Sequence, residues 1–479
     1  MSDSIPSPYP APSAFPRSAV DASLAAAMPA LEALLGDRLS TADSIREHHG
    51  RDESWHPSQW PDVVCFPEST EEVSKIVAIC ASHRLPIVPF GAGSSLEGQV
   101  IPVAGGLSLD LSRMNRIVTI RPEDLDVTVE AGVTRLQLEK RLHDEGLFFA
   151  VDPGADATVG GMAATRASGT NAVRYGTMRE NVIQLEVVLA DGRVIRTGRR
   201  ARKSSAGYDL TRLFVGSEGT LGVITELTLR VQGLPEAIAS AVVSFPDLGS
   251  AVRAAIETIQ YGIPVARVEL IDGVQMGAFN GYAGTDHAET ATLFLEFHGS
   301  RPGVEEQSRD CGEIMAQYGG EGFRTALDPK AREELWEARH HAYYASLSLR
   351  PGSKGLTTDV CVPLSNLAEC IAGTQADTAE SFLMAPIVGH VGDGNFHVVF
   401  LVDPEKPEEI EEAERLHHRL VQRALALDGT CTGEHGVGLG KQDFLVEEHG
   451  TDALDVMRSI KTALDPLGLM NPGKILPAG

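Results

Sequence analysis

Near the C-terminal end, Ile387-Val-Gly-His-Val-Gly-Asp-Gly-Asn-Phe-His-Val-Val-Phe400 places two histidines on either side of a glycine-rich turn. Asp-Gly between two β-prone runs favours a type I′ hairpin, because both central residues of that turn need φ > 0. With Asp393-Gly394 as a two-residue turn, His390 and His397 are expected as direct cross-strand partners. Their Cβ atoms would lie roughly 5 Å apart, close enough for both imidazoles to hold one metal ion. Further on, Gly429-Thr-Cys-Thr-Gly-Glu-His-Gly-Val-Gly438 offers Glu434 and His435 in a loop punctuated by glycines. Two histidines and a carboxylate with open coordination positions suit a catalytic centre better than a closed structural one. The bland alternative is a hairpin whose histidines only hydrogen-bond in a polar groove.

The elements that must position these residues occupy a chain of 479 residues, too long for one ordinary core, so two or more domains are expected. Apolar content of 43% and charged content of 22% are those of a soluble globular protein. A formal charge of −25 argues against nucleic acid or an anionic membrane surface as a broad partner. A small anionic substrate would therefore need a local basic pocket. No apolar run is expected to reach the length of a membrane span. The six cysteines form no C-x-x-C pair, which fits buried thiols in a reducing compartment. Met1 to about Ser18 is rich in Pro and Ser and lacks a basic n-region followed by an apolar stretch. It reads as a disordered lead-in and not a signal peptide. These features predict a cytoplasmic protein, compatible with peripheral association at an inner membrane.

Three glycine-rich passages separated by strands dominate the N-terminal half: Gly91-Ala-Gly-Ser-Ser-Leu-Glu-Gly98, Val151–Asn171 and Gly216–Thr225. The first follows the strand Pro86–Phe90 but does not open a helix, so it is no dinucleotide fingerprint, and it has no P-loop lysine. Its backbone N–H groups and the hydroxyls of Ser94 and Ser95 could surround a pyrophosphate. A tight loop between strands explains any one passage; the three together suggest an α+β domain wrapping an extended, phosphate-containing ligand. Beyond Pro235 an antiparallel α+β pattern begins. A helix over Leu335–Tyr344 carries Arg339, and Lys354 follows in a loop before a strand at Thr358–Val362.

Pro89–Gly98, Val151–Gly176 and Gly216–Ile224 resemble the FAD-binding domain of the vanillyl-alcohol-oxidase, or PCMH-type, flavoenzymes. Gly389–His397, Gly433-Glu-His-Gly436 and Met470-Asn-Pro-Gly-Lys474 resemble the C-terminal part of the D-2-hydroxyacid dehydrogenases, and within these Ser353–Pro363 and Gly429–Lys441 look most like the cytochrome-linked, mitochondrial D-lactate type. The resemblance covers about Arg46 to Leu476. It implies an α+β fold with a two-subdomain PCMH-type FAD-binding domain and an α+β substrate domain built on an antiparallel sheet. The implied divisions are a lead-in and helix (1–55), the FAD domain (56–235), the substrate and metal domain (236–440), and a C-terminal segment (441–479) returning to the FAD domain.

The resemblance further implies non-covalent FAD. Pro89, Gly91, Ala92, Gly93, Ser94, Ser95, Pro153, Gly154, Gly160, Gly161, Ser168, Gly169, Ile224 and Asn471 would contact it. Arg166 departs from the small residue common in relatives. One divalent metal, Zn or Mn, would be held by His390, His397 and Glu434. His435 would be the base, and Arg339 and Lys354 would hold the substrate carboxylate. The expected partners are a small 2-hydroxy acid, most simply D-lactate, and an electron acceptor such as cytochrome c, a quinone or an electron-transfer flavoprotein. Glycolate and D-2-hydroxyglutarate are alternative substrates, and a homodimer is compatible with the sequence. Two rivals remain at this level: a metal hydrolase without flavin, which leaves the glycine passages unexplained, and a non-catalytic flavin-binding subunit of a glycolate oxidase complex.

Overall fold

The computed structural model describes residues 15–477, so most of the lead-in expected before Ser18 lies outside the described residues. The chain divides by contacts into two units, each described by itself. The first comprises the chain up to Ser168, Thr177–Gly233 and Glu434–Gly479; the second comprises Gly169–Gly176 and Leu234–Gly433. Contacts thus end the second unit at Gly433, where the sequence reading placed the return at 441, and give it the short segment Gly169–Gly176.

The first unit has two sheets. In one, Val63–Cys65, Leu107–Asp110 and Ile87–Phe90 lie side by side in parallel, with the short strand Leu39–Ser40 antiparallel at the edge. In the other, five antiparallel strands run in the order Ile117–Arg121, Asp126–Glu130, Val223–Arg230, Val182–Val188, Val194–Arg196. The last two strands flank an Asp191-Gly192 turn, with Gly192 at φ 84°. Helix Thr70–His83 starts where Ser69 caps it, accepting from Glu72 N–H at 3.3 Å. Ser69 and Glu72 have the spacing of a capping box, but only its hydroxyl half forms. The Glu72 carboxylate reaches Glu68 N–H and Arg38 instead. Val73, Ile76, Val77 and Cys80, at helical spacing, fill the core. The C-terminal segment completes this unit: Met470 bridges to Ile87 in parallel, and Asn471 N–H donates to the Ile87 carbonyl at 2.8 Å.

One expectation needs correction here. The helical stretch Arg17–Arg38 is long and apolar enough, at mean hydropathy 1.3, to cross a membrane by length and composition alone. Its alanines escaped notice because they are weakly apolar one by one but sum over the span. In the structure Val20, Ala27, Leu31 and Leu35 form a buried stripe within the first unit's core.

The second unit is an antiparallel sheet in the order Glu321–Ala326, Ala237–Phe245, Ala291–Gly299, Val265–Ile271, Ile387–His390, Asn395–Val402, Lys354–Thr357. Cross-strand partners share a face, so the pairs Glu269↔Phe294 and Arg267↔Glu296 put those four residues on one side. Phe294 packs there with Met276, Phe279, Trp336, Ala338 and Ala342, on helices Gly273–Ala283, Pro329–His340 and Ala342–Ser348. The single helix expected over Leu335–Tyr344 is thus two, separated at His341.

Candidate functional site

The hairpin forms, but its register differs from the expected one. His390 pairs with Asn395, and His397 pairs with Val388. The turn is longer: Asp393 N–H closes on the His390 carbonyl at 3.0 Å, and only Gly394 adopts positive φ, 82°. Tertiary contacts decide this. Val391 is fully buried, Gly392 N–H reaches the Val268 carbonyl, and a Cβ on Gly394 would collide with the Val362 carbonyl. The shift is two residues, an even number, so both histidines keep the same face. They end as diagonal neighbours with ring centroids 5.5 Å apart and planes at 84°.

Each imidazole is oriented by its own acceptor. His390 Nδ1 lies 2.7 Å from Glu269 Oε1, and His397 Nδ1 lies 2.9 Å from the Thr358 carbonyl. Donation from both Nδ1 positions makes each Nε2 the lone-pair nitrogen, as in metal-ligating histidines. The other oxygen of Glu269 accepts from Arg339 Nε at 2.7 Å, so one fully buried carboxylate orients both a histidine and the candidate substrate arginine. Burial would raise the Glu269 pKa, but His390 and Arg339 outweigh it and hold the carboxyl below its ordinary range. Next to His397, Asp359 accepts from Asn395 Nδ2 at 2.8 Å and Thr432 Oγ1 at 2.7 Å. Gly433 packs on Asn395 and Asp359, where any Cβ would intrude. Glu434 follows Gly433 directly in the chain. The two paired imidazoles, each with Nε2 as the lone-pair nitrogen, fit a divalent ion.

Lys354 is not brought to these residues. It is exposed, and it pairs with Val402, five positions along the strand from His397. At ~3.3 Å per residue that is roughly 17 Å. No local signal marks Lys354 as the start of an edge strand, the one that ends near His397 at Thr357. Glu269 and Asp359 were not among the expected site residues, although a glutamate alternating with Arg267 inside an otherwise apolar strand is a usable signal. A cavity of about 250 Å³ in the second unit, lined by Val242, Met276, Phe279, Phe294, Arg324 and Leu335, is lined by none of His390, His397, Arg339 or Lys354.

In the first unit the three glycine passages converge. A Cβ on Gly91 would run into the Thr158 side chain, and one on Gly219 would sit 3.0 Å from Pro89. Thr158 caps helix Val159–Thr165, accepting from Gly161 N–H. Arg166 ends that helix in the left-handed region (φ 57°) and donates to the Val215 carbonyl, which ties the second passage to the third. The candidate residues do not all serve alike. Gly160 is required by packing, since its Cβ would lie 2.6 Å from that of Ala131, and Ile224 belongs to the core. Ser95 donates to Asp52 at 2.9 Å. Ala92, Ser94, Pro153 and Gly154 remain at least partly accessible, while the chain leaves this unit between Ser168 and Gly169. Two buried polar atoms beside these loops, Ser217 Oγ and Asn471 Oδ1, have no hydrogen-bond partner among the described residues. Closely approachable backbone with inward polar atoms fits a flat, hydrogen-bonding cofactor such as FAD.

Comparison with known proteins agrees. The FAD binding domain matches residues 61–198, and the C-terminal domain of FAD linked oxidases matches residues 234–475. The probable mitochondrial D-lactate dehydrogenase of Danio rerio is 53% identical over 463 residues, covering 96% of this chain and 93% of its own. Glycolate oxidase subunit GlcD of Bacillus subtilis is 36% identical, covering 87% and 89%. The solved structure of p-cresol methylhydroxylase has a TM-score of 0.77 at 19% identity, covering 97% and 98%, and shows the shared fold. The chain therefore belongs to the FAD-linked oxidases with a PCMH-type fold. Within them it falls in the D-lactate dehydrogenase branch.

The cytoplasmic expectation is overturned by the same relatives, since the matching D-lactate dehydrogenases of zebrafish, Arabidopsis and budding yeast are mitochondrial. The six cysteines form no disulfide, which separates reducing from oxidising surroundings but does not choose between reducing compartments. Compartment is set by a receptor-read address, which charge and thiol content do not encode.

Proposed function

We propose that this protein oxidises D-lactate to pyruvate with non-covalent FAD and a divalent ion, passing the electrons to a cytochrome-type acceptor. The observation that carries the reading is the buried histidine pair, oriented through Nδ1 by Glu269 and Thr358, with Arg339 on the same Glu269. His390, His397 and Glu434 would hold the ion, which when bound supplies Lewis acidity to the substrate hydroxyl. FAD, held by the three glycine-rich passages, would supply the two-electron acceptor for the hydride at C2. His435 takes the hydroxyl proton on its imidazole, which requires the neutral ring. Arg339 uses Nε on Glu269 and so keeps its Nη groups for the substrate carboxylate, a planar two-point contact that fixes the acid in place. Lys354, exposed on its edge strand, has no part in this reading. A second reading, glycolate oxidation, is favoured by the similarity to GlcD.

The test is anaerobic flavin bleaching with D-lactate, L-lactate, glycolate and D-2-hydroxyglutarate. D-lactate should bleach fastest; preference for glycolate would select the second reading, and no bleaching by any of them would refute both. His435→Asn should keep FAD and slow flavin reduction on the order of a hundredfold, with substrate affinity changed much less. Reduction at the parent rate would place the base elsewhere.

A further inference from the structure

The segment that carries His435 is strapped down within the first unit by the side chains of Gln99 and Glu218, which the proposed reaction does not use. Gln99 Nε2 donates to the His435 carbonyl at 2.8 Å. Two residues on, the Val437 N–H donates to Glu218 Oε1 at 2.7 Å, and the Gly438 N–H donates to Glu218 Oε2 at 2.9 Å. One carboxylate therefore takes two successive amides, one on each oxygen. The strap is itself oriented. Asn471 Nδ2 gives one proton to the Gln99 carbonyl at 2.9 Å and the other to the Glu218 carbonyl at 2.7 Å. Asn471 is fixed in turn by its own N–H on Ile87.

The fit leaves no slack. Gly436 sits at φ 81°, and a Cβ there would come within 2.5 Å of Glu218 Oε1 and 2.9 Å of Gln99 Nε2. Gln99, Glu218 and Asn471 are all buried, and Glu218 holds a left-handed backbone (φ 49°) that a glutamate rarely adopts. A strained, buried carboxylate spent on loop amides is costly unless the loop's position matters.

We propose that Glu218, Gln99 and Asn471 are positioning residues that fix the backbone of His435–Gly438 and so aim the His435 imidazole. This deepens the reading of His435 as the base and rests on it. Glu218 also belongs to the third glycine passage, so one side chain links a cofactor-contacting loop to the loop that carries the base. Asn471 then has two roles on two atoms: Nδ2 orients the strap, and Oδ1 is the one left for the cofactor.

The experiment uses Glu218→Gln in the holoenzyme, because the amide keeps the shape but can accept on only one of the two positions. Stopped-flow flavin reduction by D-lactate is measured for the parent, Glu218→Gln, His435→Asn and the double variant. Hydrogen exchange is followed at Val437 and Gly438. Glu218→Gln should slow flavin reduction on the order of tenfold through misplacement, with KM within about twofold and the bound-flavin spectrum unchanged. Exchange at the two amides should rise. In the His435→Asn background the same change should cost less than about twofold, since no base remains to be aimed. Equal loss in both backgrounds, unchanged exchange, or release of FAD would overturn the proposal. Should Glu218→Gln not fold, Gln99→Met removes the donor to the His435 carbonyl and is put through the same cycle. If His435→Asn alone reduces flavin at the parent rate, the base assignment fails, and the exchange data still decide whether the strap exists.

Discussion

Glu218 in the first unit and Glu296 and Glu269 in the second are all shut away from water, yet burial leaves their acidities on opposite sides of normal. Glu218 is pushed up to about 7 by burial, and the amides of Val437 and Gly438 only partly offset it. Burial acts on Glu296 in the same direction, but Arg267 and His298 outweigh it and bring the group to about 2. Glu269 is lowered for the same reason, by His390 and Arg339. The difference lies in the partners. Backbone amides are neutral dipoles that stabilise a carboxylate modestly, whereas the guanidinium of Arg267 or Arg339 brings a full charge into a low-dielectric site. The second unit thus orients histidines with carboxylates locked in the ionised state. The first unit places a loop with a carboxylate that is costly to ionise.

Removing a locked carboxylate should have the largest effect. Glu269→Ala leaves Arg339 largely buried without its partner, and losing one member of such a pair costs on the order of 3 kcal/mol. Urea unfolding measures this; a loss under about 1 kcal/mol would mean that the pair is not locked and the contrast with Glu218 is false. Glu269→Gln, a milder change, should weaken divalent-ion binding roughly 10- to 100-fold in calorimetric titration, as expected for loss of a residue that orients a ligating imidazole.

Next comes the acid limb. The folded value of Glu296 lies below its unfolded 4.5, so its contribution is present above pH 4.5 and is lost as pH falls towards 2. A depression of this size corresponds to about 3 kcal/mol. Glu296→Gln should therefore be less stable than the parent at neutral pH, and the gap should close as the solution is acidified. His298 Nε2 and Arg267 are the groups left without their anion. A gap that stays constant from pH 6 to 2.5 would show that Glu296 is not held ionised.

These contrasts were only partly legible in the sequence. The strands and glycine passages could be read, because alternation, turn residues and missing side chains are local signals. The hairpin was readable in kind and face but not in register, since Val391 and Gly392 answer to Val268 far away in the chain. Arg339 was found, but not Glu269, which lies 70 residues before it and 121 before His390. Glu218 stood in plain view inside a glycine loop, yet its partners are 219 and 220 residues further on. No periodicity reports such pairs. Lys354 shows the converse: the right residue type before a strand, placed by register at the wrong end.

The smallest effect tests the other side of the comparison. Lys474 is buried, donates to the Ile101 carbonyl at 2.6 Å, and is lowered to about 7 by burial, against the pull of Asp52 and Glu218. Glu218, raised to about 7, binds more protons folded than unfolded between pH 4.5 and 7, so its contribution to stability falls as pH rises through that range. Lys474 binds fewer protons folded than unfolded between pH 7 and 10.5, so its contribution rises there. The two limbs meet in a trough near neutral pH, the reverse of the limb at Glu296. Urea midpoints taken from pH 4.5 to 10 should show Glu218→Gln flattening the lower limb and Lys474→Met the upper one. A parent-minus-variant difference for Glu218→Gln that grows in favour of the parent as pH rises from 4.5 to 7 would mean that the carboxylate is stabilised in its charged form after all, and that the two units handle buried charge alike.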